Sequence, residues 1–265
     1  MSILQEIAGR TKQRIEVQKK TLPTEIVVEA ARSCNANSGF PFEEALRSAD
    51  ISFICEIKKA SPSKGVIAQD FPYIDIAKEY EAAGAAAISV LTEPFYFKGS
   101  ESYLREIADT VSVPLLRKDF VVDAYMIYEA KLLGASAVLL ICSILSRDTL
   151  AEYIDVAHSL GLSALVEAHN EHEIEMALYA GARVIGVNNR DLNTFEVDIG
   201  LSERLRKLAP ADVLFVSESG ISRAKDIAKL REIGADAVLI GESIMRSSDK
   251  KAEINRLRGY GYGKG

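Results

Sequence analysis

The sequence predicts an α/β protein built as a (β/α)8 TIM barrel with an N-terminal helical extension. Three observations predict it: the length, a segment repeated four times, and a second set of apolar runs between the repeats. The chain has 265 residues, near the usual size of one such barrel. The repeated segments are EAAGAAAISVL, KLLGASAVLLI, LYAGARVIGVN and REIGADAVLIG, each a helical stretch, a Gly-Ala and a short apolar run. Their glycines, Gly84, Gly134, Gly181 and Gly234, recur at intervals of roughly fifty residues. A glycine suits the left-handed residue that ends a helix before a strand. The interleaved runs are SFICEIKK, VPLLRKDF, SALVEAH and VLFVSESG. Two strands per repeat, four times over, make eight β/α units. An open doubly wound sheet usually has fewer strands and leaves the fourfold period unexplained.

In order, strands are expected near residues 52–58, 86–91, 114–118, 137–141, 163–167, 184–188, 213–217 and 237–240. These runs are rich in β-branched residues and too short for helices. Amphipathic stretches fill the gaps. Residues 1–50 have no place in a minimal barrel and form the extension, two or three helices that include IVVEAARS and FPFEEALRS. The organisation is then one domain over 1–265: extension 1–50, barrel 51–250, and a C-terminal tail 251–265 whose GYGYGKG reads as frayed.

Composition narrows the functional classes. The formal charge is −6, so the basic footprint of a nucleic-acid binder is missing. Net charge does not describe a pocket, so it leaves room for a local basic pocket that binds a small anion. No apolar run reaches membrane-spanning length, and the charged first twenty residues lack a signal-peptide core. Cys34, Cys55 and Cys142 are odd in number and form no CxxC pair. Cys55 and Cys142 sit in apolar runs and read as buried thiols in a reducing, cytoplasmic protein.

Chemistry-bearing residues gather at the strand ends, where barrel enzymes place catalytic groups. The odd strands finish with Glu56 and Lys58, Lys118, Glu167, and Glu218. Glu56 and Lys58 are two apart and face one side of their strand. Any one of these charges alone reads as a strand edge meeting solvent. Four odd strands together point to one mouth where carboxylates and ammoniums shift each other's pKa values for proton transfer. The sixth strand is followed by Asn188 and Arg190, the seventh by Ser219 and Gly220, the eighth by Gly241, Glu242 and Ser243. Loops after strands seven and eight are the usual phosphate site, although Gly220 and Gly241 also suit ordinary turns. Glu242 has the wrong charge for phosphate, but its N–H can serve if its side chain points away. KKASPSKGVI, after the first strand, reads as either a mobile functional loop or a solvated one. His169 and His172 read as surface residues at a helix start, with no third ligand for a metal. Phe97 alone reads as core.

The blocks CEIKKASPSKG, SVLTEPFYFKGS, LLRKDFVVD, LVEAH, GVNNRDL, SESGIS and LIGES stand in this order. Over about residues 3–250 the chain resembles the indole-3-glycerol-phosphate synthase family, with E-x-K-x-x-SPS-x-G and NNRDL the most specific blocks. The resemblance implies a carbon–carbon lyase of tryptophan biosynthesis with no metal, nucleotide or organic cofactor. Its substrate would be the phosphorylated anilino-sugar 1-(2-carboxyphenylamino)-1-deoxyribulose 5-phosphate, and its products indole-3-glycerol phosphate, carbon dioxide and water. It implies catalytic positions at Glu56, Lys58, Lys118, Glu167, Asn188, Glu218 and Ser219. Ser61, Arg190, Gly220, Gly241 and Glu242 would bind substrate or its phosphate, and Phe97 and Phe120 would line an aromatic pocket. PFYFKGS is the less regular block. The expected partners are the small molecule alone, with neither nucleic acid nor membrane, in a monomer or weak homo-dimer.

The chemistry needs an acid on the ribulose carbonyl while the carboxylate-bearing aromatic carbon attacks it. Lys118 is the candidate, with a pKa expected to be lowered by Lys58 or by desolvation. Glu167 and Lys58 are the expected pair for loss of water, with Glu56 orienting Lys58. Asn188 and Ser219 would hold substrate hydroxyls or the carboxylate. Competing readings are another ribulose-phosphate barrel such as phosphoribosylanthranilate isomerase, a Schiff-base aldolase using Lys118, and a catalytically inert binding subunit.

Overall fold

The structure is a computed structural model, and it describes residues 2–36, 38–191 and 194–259. Three helices come first: α1 (Ile3–Thr21), α2 (Thr24–Ser33) and α3 (Pro41–Leu46). Eight strands then close into a parallel barrel: β1 (Ser52–Ile57), β2 (Ala87–Leu91), β3 (Leu115–Lys118), β4 (Ala137–Ile141), β5 (Ser163–Ala168), β6 (Val184–Asn188), β7 (Leu214–Glu218) and β8 (Ala237–Ile240). Each strand pairs with its sequence neighbours, and β8 returns to β1 with Ser52 opposite Ala237 and Cys55 opposite Ile240. The outer ring is α4 (Tyr73–Ala82), α5 (Glu101–Ala108), α6 (Tyr125–Leu132), α7 (Arg147–Ser159), α8 (Glu171–Tyr179), α9 (Gly200–Arg206), α10 (Ala224–Glu232), the short α11 (Glu242–Arg246) and α12 (Lys250–Arg258). The segment expected as tail therefore begins with helix α12, and residues 260–265, with most of GYGYGKG, lie outside the described residues.

The repeated glycines end their helices as their spacing predicts. Gly84, Gly134, Gly181 and Gly234 have φ of 78°, 83°, 81° and 75°. After each, the alanine N–H reaches back five residues, as from Ala85 to the Tyr80 carbonyl and Ala135 to Ala130, which is the Schellman closure. An L-residue there costs about 1–2 kcal/mol in backbone strain. A Cβ on Gly181 would meet open space, whereas one on Gly134 would come 2.7 Å from Ala108 Cβ. Gly181→Ala is expected to lose about that strain, and Gly134→Ala more. Urea unfolding of the pair checks this; equal losses would show that the Ala108 contact yields freely.

Strand parity sorts the core into two compartments. Phe53, Cys55 and Ile57 of β1 face the helices, whereas Ile54 joins Leu116, Leu139, Leu165, Val184, Val216 and Leu239 inside the barrel. Two residues on from an inward apolar side chain, the same parity turns the next group inward: Glu56, Lys118, Glu167, Glu218 and Gly241 follow in this way, and Asn188 follows Val184 by two such steps, across Gly186. The interior column is stoppered at both ends by the extension. Below, α3 inserts Phe42 and Leu46, and the buried Glu43 bonds Ser163 Oγ at 3.1 Å and Arg183 at 2.8 Å. Above, α1 lays Leu4 and Ile7 across the mouth.

Polar contacts fix α1 in that place. Ser2 and Gln5 form a capping box at its start. Arg14 pairs with the buried Asp119 at 2.9 Å, Lys19 with Asp123 at 2.6 Å, and Gln18 donates to Glu129 at 2.6 Å. Behind these contacts lies the fully buried Arg117, which points away from the barrel interior. Its guanidinium meets Glu129 at 2.7 Å, Glu101 at 3.2 Å and Asp119 at 3.8 Å, and donates to the Met126 carbonyl. A buried charge of this kind persists only when paired.

Candidate active site

A cavity of about 460 Å³ opens at the C-terminal ends of the strands. It is lined by every residue that the sequence nominated: Glu56, Lys58, Lys118, Glu167, Asn188, Glu218 and Ser219, with Ser61, Phe97, Phe120, Arg190, Gly220, Gly241 and Glu242. Its floor is a charge cluster. Lys118 Nζ lies 2.6 Å from Glu218 Oε2 and 3.5 Å from Glu167 Oε2. Beside it, Lys58 Nζ is in contact with Glu56 Oε1.

The electrostatics correct one expectation. Burial by itself would lower the Lys118 pKa, but the carboxylates of Glu218, Glu167 and Glu56 outweigh it and raise the pKa above the usual lysine value. Lys58, expected to act on Lys118, instead faces Glu56. The two carboxylates around Lys118 diverge. Burial would raise both, but Lys118 and His169 pull Glu167 below the ordinary glutamate range. Glu218 is raised, by burial first and then by the neighbouring Glu167, against the pull of Lys118. Two acids sharing one ammonium cannot both be fully satisfied, so their environments split them.

Two residues that build this floor, Gly186 and Asn189, escaped the sequence reading. Gly186 sits inside β6, and a Cβ there would fall 2.2 Å from Glu218 Oε1; an isolated glycine within a strand is the available clue to such a close approach. Ser219 has φ 67° and Gly220 φ 81°, so the chain turns sharply just past β7. A non-glycine residue there is strained. The buried Asn189 holds the turn by donating to the Glu218 and Ser219 carbonyls at 2.9 and 3.2 Å. Gly220 is crossed by the loop after β6, where Val197 Cγ1 lies 2.2 Å from where a Cβ would stand. Arg190, on that loop, donates to the Phe195 carbonyl at 3.1 Å.

The two walls differ in character. Ile3, Leu4 and Ile7 of α1 join Phe97, Phe120, Leu139 and Ile141 on the apolar side, with the Phe97 and Phe120 rings 6.1 Å apart. The extension therefore supplies part of the pocket, a role hidden by its charged residues although Ile3 and Ile7 share a helix face. Phe97 is placed by Glu93, whose fully buried carboxylate accepts the backbone N–H groups of Phe95, Tyr96 and Phe97. Opposite, the loops after β7 and β8 bring Gly220, Gly241 and Ser243 to the rim. Ser243 Oγ is buried and, among the described residues, has no hydrogen-bond partner. The Glu242 carboxylate is drawn toward Arg246 at 3.3 Å and Lys64 at 4.0 Å. Ser61 comes from the loop after β1, where Ala60–Ser61 pairs antiparallel with Gly65–Val66.

His169 is not the surface residue the sequence suggested. Its ring lies between Glu167 and Glu173 at 3.3 and 3.1 Å. Among the described residues no group of three or more His, Cys, Asp or Glu is arranged to hold a metal ion, and no helix is long and apolar enough to cross a membrane.

Comparison with known proteins agrees with this geometry. The family model described as indole-3-glycerol phosphate synthase matches residues 4–257. A relative of that name from Ruminiclostridium cellulolyticum is 60% identical over 257 residues, covering 97% of this chain and 99% of the relative. One from Lachnoclostridium phytofermentans is 50% identical over 267 residues, covering 97% and 98%. Among solved structures, 3-hexulose-6-phosphate synthase from Salmonella typhimurium superposes with a TM-score of 0.65 at 14% identity, covering 79% of this chain and 97% of that one. A mutant tryptophan synthase alpha-subunit from Pyrococcus furiosus gives 0.59 at 14% identity, covering 79% and 98%. These two share the fold. The family model and the full-length relatives settle the kinship: the chain belongs to the indole-3-glycerol phosphate synthase family.

Proposed function

We propose that the cavity converts 1-(2-carboxyphenylamino)-1-deoxyribulose 5-phosphate to indole-3-glycerol phosphate, carbon dioxide and water. The family acts on a small phosphorylated substrate. The observation that carries the residue assignments is the Lys118 ammonium, set between Glu218 and Glu167 beneath an apolar aromatic wall. The anthranilate ring packs against Phe97 and Phe120. The ribulose carbonyl oxygen faces Lys118, and the phosphate lies toward Gly220, Gly241 and Ser243. Ser243 Oγ then gains the acceptor that it lacks among the described residues.

In the first step, the ring carbon bearing the carboxylate forms a bond to the carbonyl carbon. Negative charge builds on the oxygen, and the Lys118 ammonium stabilises it. An ammonium with a raised pKa is a weak acid toward a carbonyl, but it gives its proton to an alkoxide, which is far more basic. The C–CO₂ bond then breaks, and its electron pair restores the aromatic ring. Finally the new hydroxyl leaves as water, protonated by Lys58, while Glu167, held ionised, takes the proton that completes the pyrrole. Glu56 orients Lys58, and Asn188 and Ser219 hold the substrate's hydroxyls or carboxylate. A Schiff-base role for Lys118 needs a free amine, which these ion pairs oppose. The same reading includes no added cofactor, a cytoplasmic setting and a monomer or weak homo-dimer. The free Cys55 and Cys142 thiols support the compartment, and the charge of −6 supports the absence of nucleic-acid binding.

The chain has no Trp, so the protein's own emission beneath the indole signal comes from tyrosine, and the anthranilate emission of the substrate falls as the indole emission rises. A rising signal on mixing with the anilino-sugar in chelator-treated buffer is the expected result. A flat trace from folded protein would sink the reading. Gly241 offers a second check. A Cβ there would lie 2.6 Å from Glu56 Oε1 and 3.2 Å from Lys58 Nζ. Gly241→Asp is therefore expected to raise KM by opposing phosphate and also to lower kcat by displacing the Glu56–Lys58 pair. A pure KM effect in steady-state kinetics would show that the pair adjusts without loss.

A further inference from the structure

We propose that His169 is a positioning residue for this reaction, an imidazolium clasped between Glu173 and Glu167 that keeps the Glu167 carboxylate ionised and turned toward Lys118. β5 ends at Ala168, so His169 is the first residue past the strand that carries Glu167. Its backbone N–H donates to Glu173 Oε2 at 2.8 Å, and its ring Nδ1 lies 3.1 Å from the same oxygen. That double grip from the first turn of α8 fixes the ring. Nε2 then faces Glu167 Oε1 at 3.3 Å, while Glu167 Oε2 faces Lys118 at 3.5 Å. The two oxygens of Glu167 are thus divided, one to the positioning cation and one to the cavity. Carboxylates stand near both ring nitrogens, Nδ1 within hydrogen-bond reach of Glu173 and Nε2 at ion-pair distance from Glu167, and only the doubly protonated ring presents an N–H and a positive charge to both. Burial by itself would lower the His169 pKa, but the hydrogen bonds and charges of Glu167 and Glu173 raise it to about 10.

The surrounding charges are few. Glu167 faces Lys118 from β3, and Glu218 and Glu56 stand around that same ammonium from β7 and β1. Glu56 is occupied by Lys58, and the neutral Asn188 bonds Glu167 from β6. From the turn after β4, the Cys142 thiol rests on the Glu173 carbonyl and is kept neutral, its pKa pushed to about 12 by burial. Without His169, the three carboxylates around Lys118 keep, among the described residues, Lys58 and Lys118 as the cations paired with them, and protons bind the Glu167–Glu218 pair at higher pH.

The test is the pH dependence of kcat and kcat/KM for wild type, H169N and E173Q. H169N keeps a polar side chain without the charge, and E173Q removes the charge that sustains the imidazolium. The acid limb, which belongs to the coupled carboxylates, is expected to rise by about one pH unit in H169N, a roughly tenfold loss on the limb. Above the limb, turnover stays within about threefold of wild type. E173Q is expected to shift the limb the same way, by less. Limbs superimposable on wild type, with or without a uniform fall in kcat, would overturn the proposal. Should H169N fail to fold, two-bond ¹⁵N spectra of the wild-type imidazoles decide it. His169 is expected to be doubly protonated at pH 8, and a neutral ring there overturns the proposal. The inference rests on Glu167 as the proton-transferring carboxylate, and E167Q tests that separately. Normal turnover in E167Q removes Glu167 from the reaction. Low turnover in E167Q with an unmoved limb in H169N removes only His169.

Discussion

Replacing Lys118 with Ala is expected to lower kcat by about 10²–10⁴-fold, the usual worth of a positioned acid or base. Glu167→Gln is expected to fall in the same range, because the amide keeps the shape and loses the basicity. The environment of Lys118 sharpens the first expectation. Its ammonium is held by Glu218 and Glu167, and its pKa lies above the usual 10.5. Loss of its proton therefore should not generate an alkaline limb in the kcat profile below that value. Lys118→Arg keeps the charge but binds its protons too tightly to transfer one. It should recover some of the electrostatic stabilisation and little of the proton transfer. Stopped-flow indole fluorescence from pH 6 to 10 measures all three variants. Turnover within threefold of wild type in Lys118→Ala would remove that residue from the mechanism.

The second large effect is on stability. Arg117→Met is expected to cost about 3–5 kcal/mol, because removing one partner of a buried ion network strands the others. For a chain of this size that is roughly 6–20 °C in Tm. Glu129 and Glu101 are the stranded groups, since Asp119 keeps Arg14 at 2.9 Å. Glu129 already has a raised pKa from burial, against the pull of Arg117, and the substitution raises it further. A carboxyl raised in the folded state favours folding below its unfolded pKa and loses that contribution as pH rises through the folded value. The Arg117→Met deficit should therefore shrink as pH falls toward the acid range. Adding Glu129→Gln should restore part of the stability at neutral pH. Thermal and urea unfolding of the single and double variants checks both, and a loss below 1 kcal/mol in Arg117→Met would show that the network is not what holds α1 and α6 to β3.

Arg117 and Lys118 are adjacent in LLRKDF, and they mark where sequence reading stops. Strand parity distinguishes them: Lys118 follows the inward Leu116, and Arg117 follows the outward Leu115. The sequence carries that alternation, together with the four Gly-Ala turns, and so the strands and the charge-bearing mouth are legible in it. The direction of the Lys118 pKa is not, because it depends on carboxylates 49 and 100 residues further along the chain. His169 was misread for the same reason. Its helix-start position is visible, but the side chain it answers to lies back inside the barrel. The pocket role of α1 is hidden in another way, since Ile3, Leu4 and Ile7 sit among charged neighbours and gain meaning only when the barrel beneath them is complete.

The pairing of Ser52 with Ala237 has a consequence for how the protein is made. Barrel closure joins the first strand to the last, so a nascent chain still lacking β8 exposes the edges of β1 and β7 at once. Such unpaired edges are templates for association with other chains. Parallel pairing across so long a separation is slow to form. The cavity shares this dependence, because its walls run from Ile3 to Arg246. Synthesis must therefore pass Arg246 before any molecule can bind substrate, and the interval before β8 is released is when the chain is most exposed to misassembly.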